Sequence, residues 1–209
     1  MATLTNVFLT IPDGEFTNLD LAANANIDPA KMAQRVLAES AVPVHSFRVW
    51  DAVTSNPPSA ASADDLGLVT GTWGTNPVRL TAGDLKAQGT TTRRVYFSVP
   101  VPANYDDGET IQVRVRAKME TTLADVSCTV DLEAYVGASG AVGSDLVTTS
   151  AQSMNSLSAA NYDFTLSGSG INPGDLIECR LSIACNDAAS ATAVTPAVYK
   201  VSLLCDTRG

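Results

Sequence analysis

One histidine, four cysteines and a scatter of paired acids are the residues of this 209-residue chain that could do chemistry. His45 is the only imidazole, so a Ser-His-Asp or Cys-His mechanism would have to run through it. No Gly-x-Ser-x-Gly elbow and no papain-like cysteine context accompanies it, and catalysis needs a constellation rather than a lone base. Zinc is poorly served too. A four-ligand nitrogen and sulfur site needs a Cys-x-x-Cys pair or a second histidine, and the chain has neither. Oxygen ligands suited to calcium occur at Asp64-Asp65, Asp106-Asp107-Gly108 and Asn186-Asp187, without the spacing of an EF-hand. Asp-Asp-Gly between two strands is also ordinary turn chemistry, because Gly supplies positive φ and Asp bonds its own backbone.

Asp131 and Glu133 share one face of an alternating segment, about 7 Å apart along the backbone at the usual strand rise. Paired carboxylates of this kind serve glycoside hydrolysis. The plainer expectation is that they form cross-strand ion pairs with Arg114, Arg116 or Lys118. The spaced glycines of the Gly137–Gly143 run follow a strand and open no helix, so they read as a hairpin loop and not as a phosphate cradle. Trp73, Tyr105 and Tyr135 are the aromatic candidates for contact with a glycan, and Trp50 is a fourth. The chemistry therefore points away from an enzyme. No cofactor is expected, and calcium is the one ion the carboxylates would suit.

The cysteines fall at core positions of strand-like sequence. Cys179 and Cys185 lie on one extended run in phase with Leu181 and Ile183. Their Cα atoms would be roughly 20 Å apart, beyond the reach of a bridge. Cys128 sits among Val126, Val130 and Leu132, and Cys205 follows Val201 and Leu203. Free core thiols in a reducing compartment are the expectation, with a Cys128–Cys205 bridge between neighbouring strands as the alternative.

Composition bounds the rest. The apolar fraction is 45% and the charged fraction 17%, and a chain of this length can bury a core unaided. Acidic residues outnumber basic ones by 22 to 13, for a net charge of −9. That sign argues against nucleic acid or an anionic membrane as a general partner. No run of 18 apolar residues occurs, and the N-terminus lacks the basic and apolar regions of a secretory signal. Synthesis in the cytoplasm is expected, with release by a route such as lysis.

The elements that must position these residues are mostly strands. Asp28-Pro29 reads as a helix start, predicting a short helix through Met32, Arg35, Val36 and Leu37 to Glu39, ended by Pro43. A first body strand is expected over His45–Asp51 and a second from Gly67. From Arg93 onward apolar and polar residues alternate, in Val95–Val99, Ile111–Met119, Val126–Val136, Tyr162–Leu166, Leu176–Cys185 and Ala197–Cys205. Strict alternation means one face on a core and one in water. The order strand, turn, strand, loop, strand occurs twice. The fold class is therefore all-β, a jelly-roll sandwich of about eight antiparallel strands with an extended N-terminal arm and one short helix. An immunoglobulin-like sandwich is the alternative, weakened by the absence of a Cys…Trp…Cys spacing. The predicted division is 1–43 for the arm and helix and 44–209 for the sandwich.

The phrase Gly14-Glu-Phe-Thr-Asn-Leu-Asp-Leu-Ala-Ala-Asn-Ala-Asn-Ile-Asp-Pro-Ala-Lys31 resembles the shaft repeats of bacteriophage fibre proteins, in which three chains wind about one axis. The phrase from Tyr96 to Arg116, which contains Val99-Pro-Val-Pro-Ala-Asn-Tyr-Asp-Asp-Gly108, resembles jelly-roll proteins of tailed-phage virions. Head decoration (cement) proteins and fibre heads belong to that class. The likeness implies a non-enzymatic virion structural protein on the capsid surface, a homotrimer that stabilises a phage head by contacts with the major capsid protein or other virion proteins. Only one shaft phrase is present, which favours a compact trimer over a long spike. The interface would comprise Phe16, Leu19, Leu21, Ala25, Ile27, Lys31, Met32 and Arg35, since three copies around an axis can bury apolar residues that one arm cannot. The alternatives are an arm folded back as an extra strand, and a fibre or spike head that binds a host receptor or glycan.

Overall fold

The computed structural model describes residues 35–72, 74–137, 143–189 and 191–208. Among these residues ten strands follow one another. They are β1 (Arg35–Ala41), β2 (Gly67–Val69), β3 (Arg79–Thr81), β4 (Gly89–Pro100), β5 (Ile111–Met119), β6 (Ser127–Val136), β7 (Gln152–Ser153), β8 (Ala160–Leu166), β9 (Leu176–Asp187) and β10 (Pro196–Arg208). A single 3-10 turn, Val44–Ser46, separates β1 from the loop that leads to β2.

The strands form two antiparallel sheets. The first has the order β2-β3-β10-β5-β8, with β1 added on β10, and the second has the order β4-β9-β6-β7. Leaving aside β1 and β2, the eight strands from β3 to β10 give one four-stranded row, β3-β10-β5-β8, facing another, β4-β9-β6-β7. From β3 onward the chain changes sheet at every step except from β6 to β7. That connectivity is a jelly roll. The two similar halves seen in the sequence are β4-β5-β6 and β8-β9-β10, which take opposite sheets in turn.

The alternation places the core as expected. Val113, Val115 and Ala117 of β5, Val130, Leu132 and Ala134 of β6, and Ile177, Leu181 and Ile183 of β9 are buried, with Phe97 and Phe164 filling the centre. Phe47 meets Phe97 edge-on, with ring centroids 5.5 Å apart. Each of the Val, Leu, Ile and Phe side chains among them contributes about 1.5–3 kcal/mol through burial. The turns hold the register. Gly108 takes φ 84° after Asp106-Asp107, where Glu109 N–H donates to the Asp106 carbonyl at 3.1 Å. Gly174 takes φ 85° in the second turn, where Asn172 N–H donates to Asp175 Oδ2 at 2.7 Å.

Three local expectations are overturned. The predicted helix does not extend over Arg35 to Glu39, because these residues form β1. β10 is long, and β3 pairs only with its first residues, Ala197 and Val198. The remaining edge from Ser202 to Arg208 is satisfied by β1, in the register Ala41↔Ser202 to Arg35↔Arg208. Pairing with an open strand edge outweighs a weak local helix preference. The sheet therefore begins ahead of the 43/44 boundary, and the compact unit starts at Arg35. The helix start at Asp28-Pro29 lies outside the described residues.

His45–Asp51 is likewise not a continuous strand. Arg48 exchanges two backbone bonds of 2.8 and 2.9 Å with Tyr96 at the edge of β4, and Val49 forms a separate bridge with Ala52. The cysteines also depart from expectation. Cys128 and Cys185 are direct cross-strand partners on β6 and β9 and form a disulfide with Cα atoms 4.0 Å apart. Cys179 and Cys205 are free and buried, and burial raises the thiol pKa of both.

Candidate functional site

The paired acids are held by the second sheet. Glu133 on β6 faces Arg180 on β9 and accepts from its Nη2 at 2.5 Å. Asp131 Oδ1 accepts from the N–H of Leu132 at 3.0 Å. Burial raises the Asp131 pKa, and the charges of Glu133 and Asp145 add to that shift. The cross-strand ion pair expected for these acids is present for Glu133, with a different partner. Among the described residues it is not made by Asp131, which lies opposite Ser182. Arg114, Arg116 and Lys118 lie on β5, in the other sheet. Sequence parity fixes a face and leaves open which sheet a strand joins.

Three of the other candidate carboxylates, Asp187, Asp106 and Asp64, are occupied by the chain itself. Asp65 Oδ1, in contrast, is buried without a hydrogen-bond partner among the described residues, and burial raises the Asp65 pKa. Asp187 is wholly buried and accepts from the N–H groups of Ala87 (2.8 Å) and Asp125 (3.0 Å). Asp125 in turn accepts from Ala188 and Ala189. Asp106 is buried and accepts from Arg208 Nε at 2.7 Å. Asp64 accepts from Trp50 Nε1 at 3.1 Å and lies 3.6 Å from Arg94 Nη1. Among the described residues no three His, Cys, Asp or Glu side chains converge as a metal site. His45 lies on the exposed 3-10 turn, where its carbonyl accepts from Arg48 Nη1 at 2.5 Å.

The aromatic candidates do not come together. Tyr105 is 3% exposed and donates its hydroxyl to the Glu109 carbonyl, so it stabilises the turn after β4 and offers no platform. Tyr135 is half-buried on the outward parity of β6, opposite Glu178. The Trp50 ring lies against the guanidinium groups of both Arg94 and Arg180, at 5.2 and 5.3 Å from its centroid. Trp73 lies outside the described residues, as do Phe16, Leu19, Leu21, Ala25, Ile27, Lys31 and Met32. Arg35 is the first residue of β1.

Two features stand out on the first sheet. One is β1, which pairs only with β10 among the described strands. Val36 and Leu37 are 48% and 64% exposed there, although adjacent strand residues point to opposite faces. Both faces of this edge strand thus carry exposed apolar surface. The other is the outer face of β5 and β10. Tyr199 sits at a register shift in β10, between Val198 and Lys200. Its hydroxyl donates to Glu120 Oε1 at 2.8 Å, and Glu120 is in ion-pair contact with Arg79 Nε at 2.6 Å. Burial, followed by the bond to Glu120, pushes the Tyr199 pKa up to about 12. Lys118 Nζ lies over the Tyr199 ring at 5.7 Å. Sequence reading showed the cations of β5 in their alternation. The irregularity that turns Tyr199 toward them has no periodic signal.

No family model matches this chain, and no curated protein matches it. Among solved structures, the chain is similar to a Family 16 Carbohydrate Binding Module-2, at 8% identity over 70% of this chain and 88% of that one, with a TM-score of 0.39. It is also similar to the CBM22-1 xylan-binding domain of Paenibacillus barcinonensis Xyn10C, at 10% identity over 82% and 99% of the two chains, with a TM-score of 0.38. A chain in the structure of infectious bursal disease virus Gt strain matches at 11% identity, over 65% of this chain and 32% of that one, with a TM-score of 0.35.

Proposed function

We propose that this chain is a non-enzymatic virion structural protein that acts by assembly, as a homotrimeric decoration protein on a phage head. The observation that carries this reading is β1. It is an edge strand with exposed Val36 and Leu37, and it continues directly from the arm whose residues 14–31 resemble a fibre-shaft phrase. An exposed apolar edge strand is a ready site for pairing with another chain. Phe16, Leu19, Leu21, Ala25 and Ile27 add apolar surface just ahead of it, which three copies can bury around an axis. A protein that binds only the assembled shell stabilises that shell by linkage. The jelly roll then serves as the projecting body, and the major capsid protein is the partner of the trimer.

The test is quantitative mass spectrometry of purified particles. A decoration protein is present in a fixed, high ratio to the major capsid protein and remains with DNA-free shells. A few copies that follow the tail fraction, or none in the particle, would contradict the proposal.

A further inference from the structure

The outer face of the first sheet carries a built groove of about 450 Å3 beside Tyr199. That volume falls within the ~300–1,000 Å3 typical of small-ligand sites. Its walls include Arg79, Arg116, Lys118, Glu120 and Tyr199, and Asn161 stands beside Arg116, with Oδ1 3.3 Å from Nη1. The charges do not cancel. Glu120 is committed to Arg79 and to the Tyr199 hydroxyl. Among the described residues Arg116 contacts the Asn161 amide oxygen and Lys118 the Tyr199 ring. Neither has a carboxylate partner among the described residues. Two uncompensated cations thus face one groove in a chain of net charge −9. A smaller groove shares Arg116 and Asn161 as walls. Its other cations are paired, Arg114 with Asp163 and Lys200 with Glu39, so the uncompensated charge is that of Arg116 and Lys118.

We propose that this groove binds an acidic saccharide, with the carboxylate or sulfate of a sugar held by Arg116 and Lys118 and its ring laid beside Tyr199. A guanidinium and an ammonium are the donors suited to such an anion. The Asn76 and Asn161 amides and the Glu120 carboxylate supply the donors and acceptors that sugar hydroxyls require. Apolar lining is limited to Pro77, Ala159 and the Tyr199 ring, which leaves little purchase for the side chains of a peptide. The inference is independent of the assembly reading, because it uses neither the arm nor the exposed side chains of β1.

The test is calorimetric titration of the full chain with tetragalacturonate, its methyl-esterified neutral form, a chondroitin sulfate tetrasaccharide and hexaglutamate. Binding of at least one acidic saccharide is expected, weakened by salt and absent with the neutral ester. Arg116→Gln and Lys118→Gln each lower that affinity at least tenfold, while Arg116→Lys retains most of it. Both side chains lie on the outer face of β5, and an unchanged melting temperature verifies that the variants are folded. Failure of both acidic saccharides to bind would overturn the assignment. So would equal binding of the neutral ester or of hexaglutamate, or affinity that survives both glutamine substitutions.

Discussion

Single carboxylates hold this molecule together at places where a metal or a catalytic acid was conceivable from sequence. Asp187 is the clearest case, since two backbone N–H groups from separate loops converge on its buried side chain. Asp187→Ala leaves both donors without that acceptor and is expected to cost about 2–4 kcal/mol. Asp187→Asn keeps one oxygen and costs less, and urea denaturation ranks the two. The Asp163–Arg114 pair behaves differently. Both nitrogens of the fork lie 2.7 Å from the two carboxylate oxygens, and this contact lowers the Asp163 pKa. A depressed folded pKa stabilises the fold above the unfolded value of about 3.9 and ceases to do so as pH falls through the folded value. The side chains are about one-third exposed, so solvent screening limits the contribution to about 0.5–1 kcal/mol. Asp163→Asn should lower stability by that amount at pH 7 and converge with the parent at pH 2. At this scale the sequence revealed which residues were buried, Cys128 and Cys185 included. It did not reveal that these two cysteines would be register partners, because pairing depends on which strands become neighbours.

Strands long enough to show a period were legible, and short β2 appears at Gly67 where a strand was expected, but the other short strands had no such signal. β4, β5, β6, β8, β9 and β10 carry the alternation and appear where it predicts them. β3 and β7 have three and two residues, too few for any periodic signal, and they form because neighbouring strands offer edges. β1 is more instructive. Arg-Val-Leu-Ala-Glu-Ser-Ala reads equally well as a helix, and only the open edge of β10 decides the matter. Leu37 is 64% exposed, so Leu37→Asp should change the stability of the sandwich by less than about 0.5 kcal/mol. The same change places a charge on the proposed contact between copies. The account expects the variant to melt normally and to self-associate at least tenfold more weakly in analytical ultracentrifugation. Unaltered self-association would remove β1 from the interface.

The described residues form a jelly roll whose strands from β3 to β10 alternate between sheets at every step but β6 to β7, and the doubled order of strands, turns and loops made this visible in the chain itself. The candidate sites were less visible. Aromatic residues chosen for exposure scattered to a turn and to the second sheet. The cations of β5 gained meaning only once β10, distant in sequence, brought Tyr199 beside them. Assembly is the property on which the functional reading depends, since the described sandwich buries its own core and leaves apolar surface at the strand that follows the arm. Native mass spectrometry of the full-length chain tests it most directly. The account predicts a dominant species of three 21.7 kDa chains, reduced to single chains by Ile27→Asp with the β circular dichroism retained. A parent protein that remains a single chain at every concentration tested would contradict it.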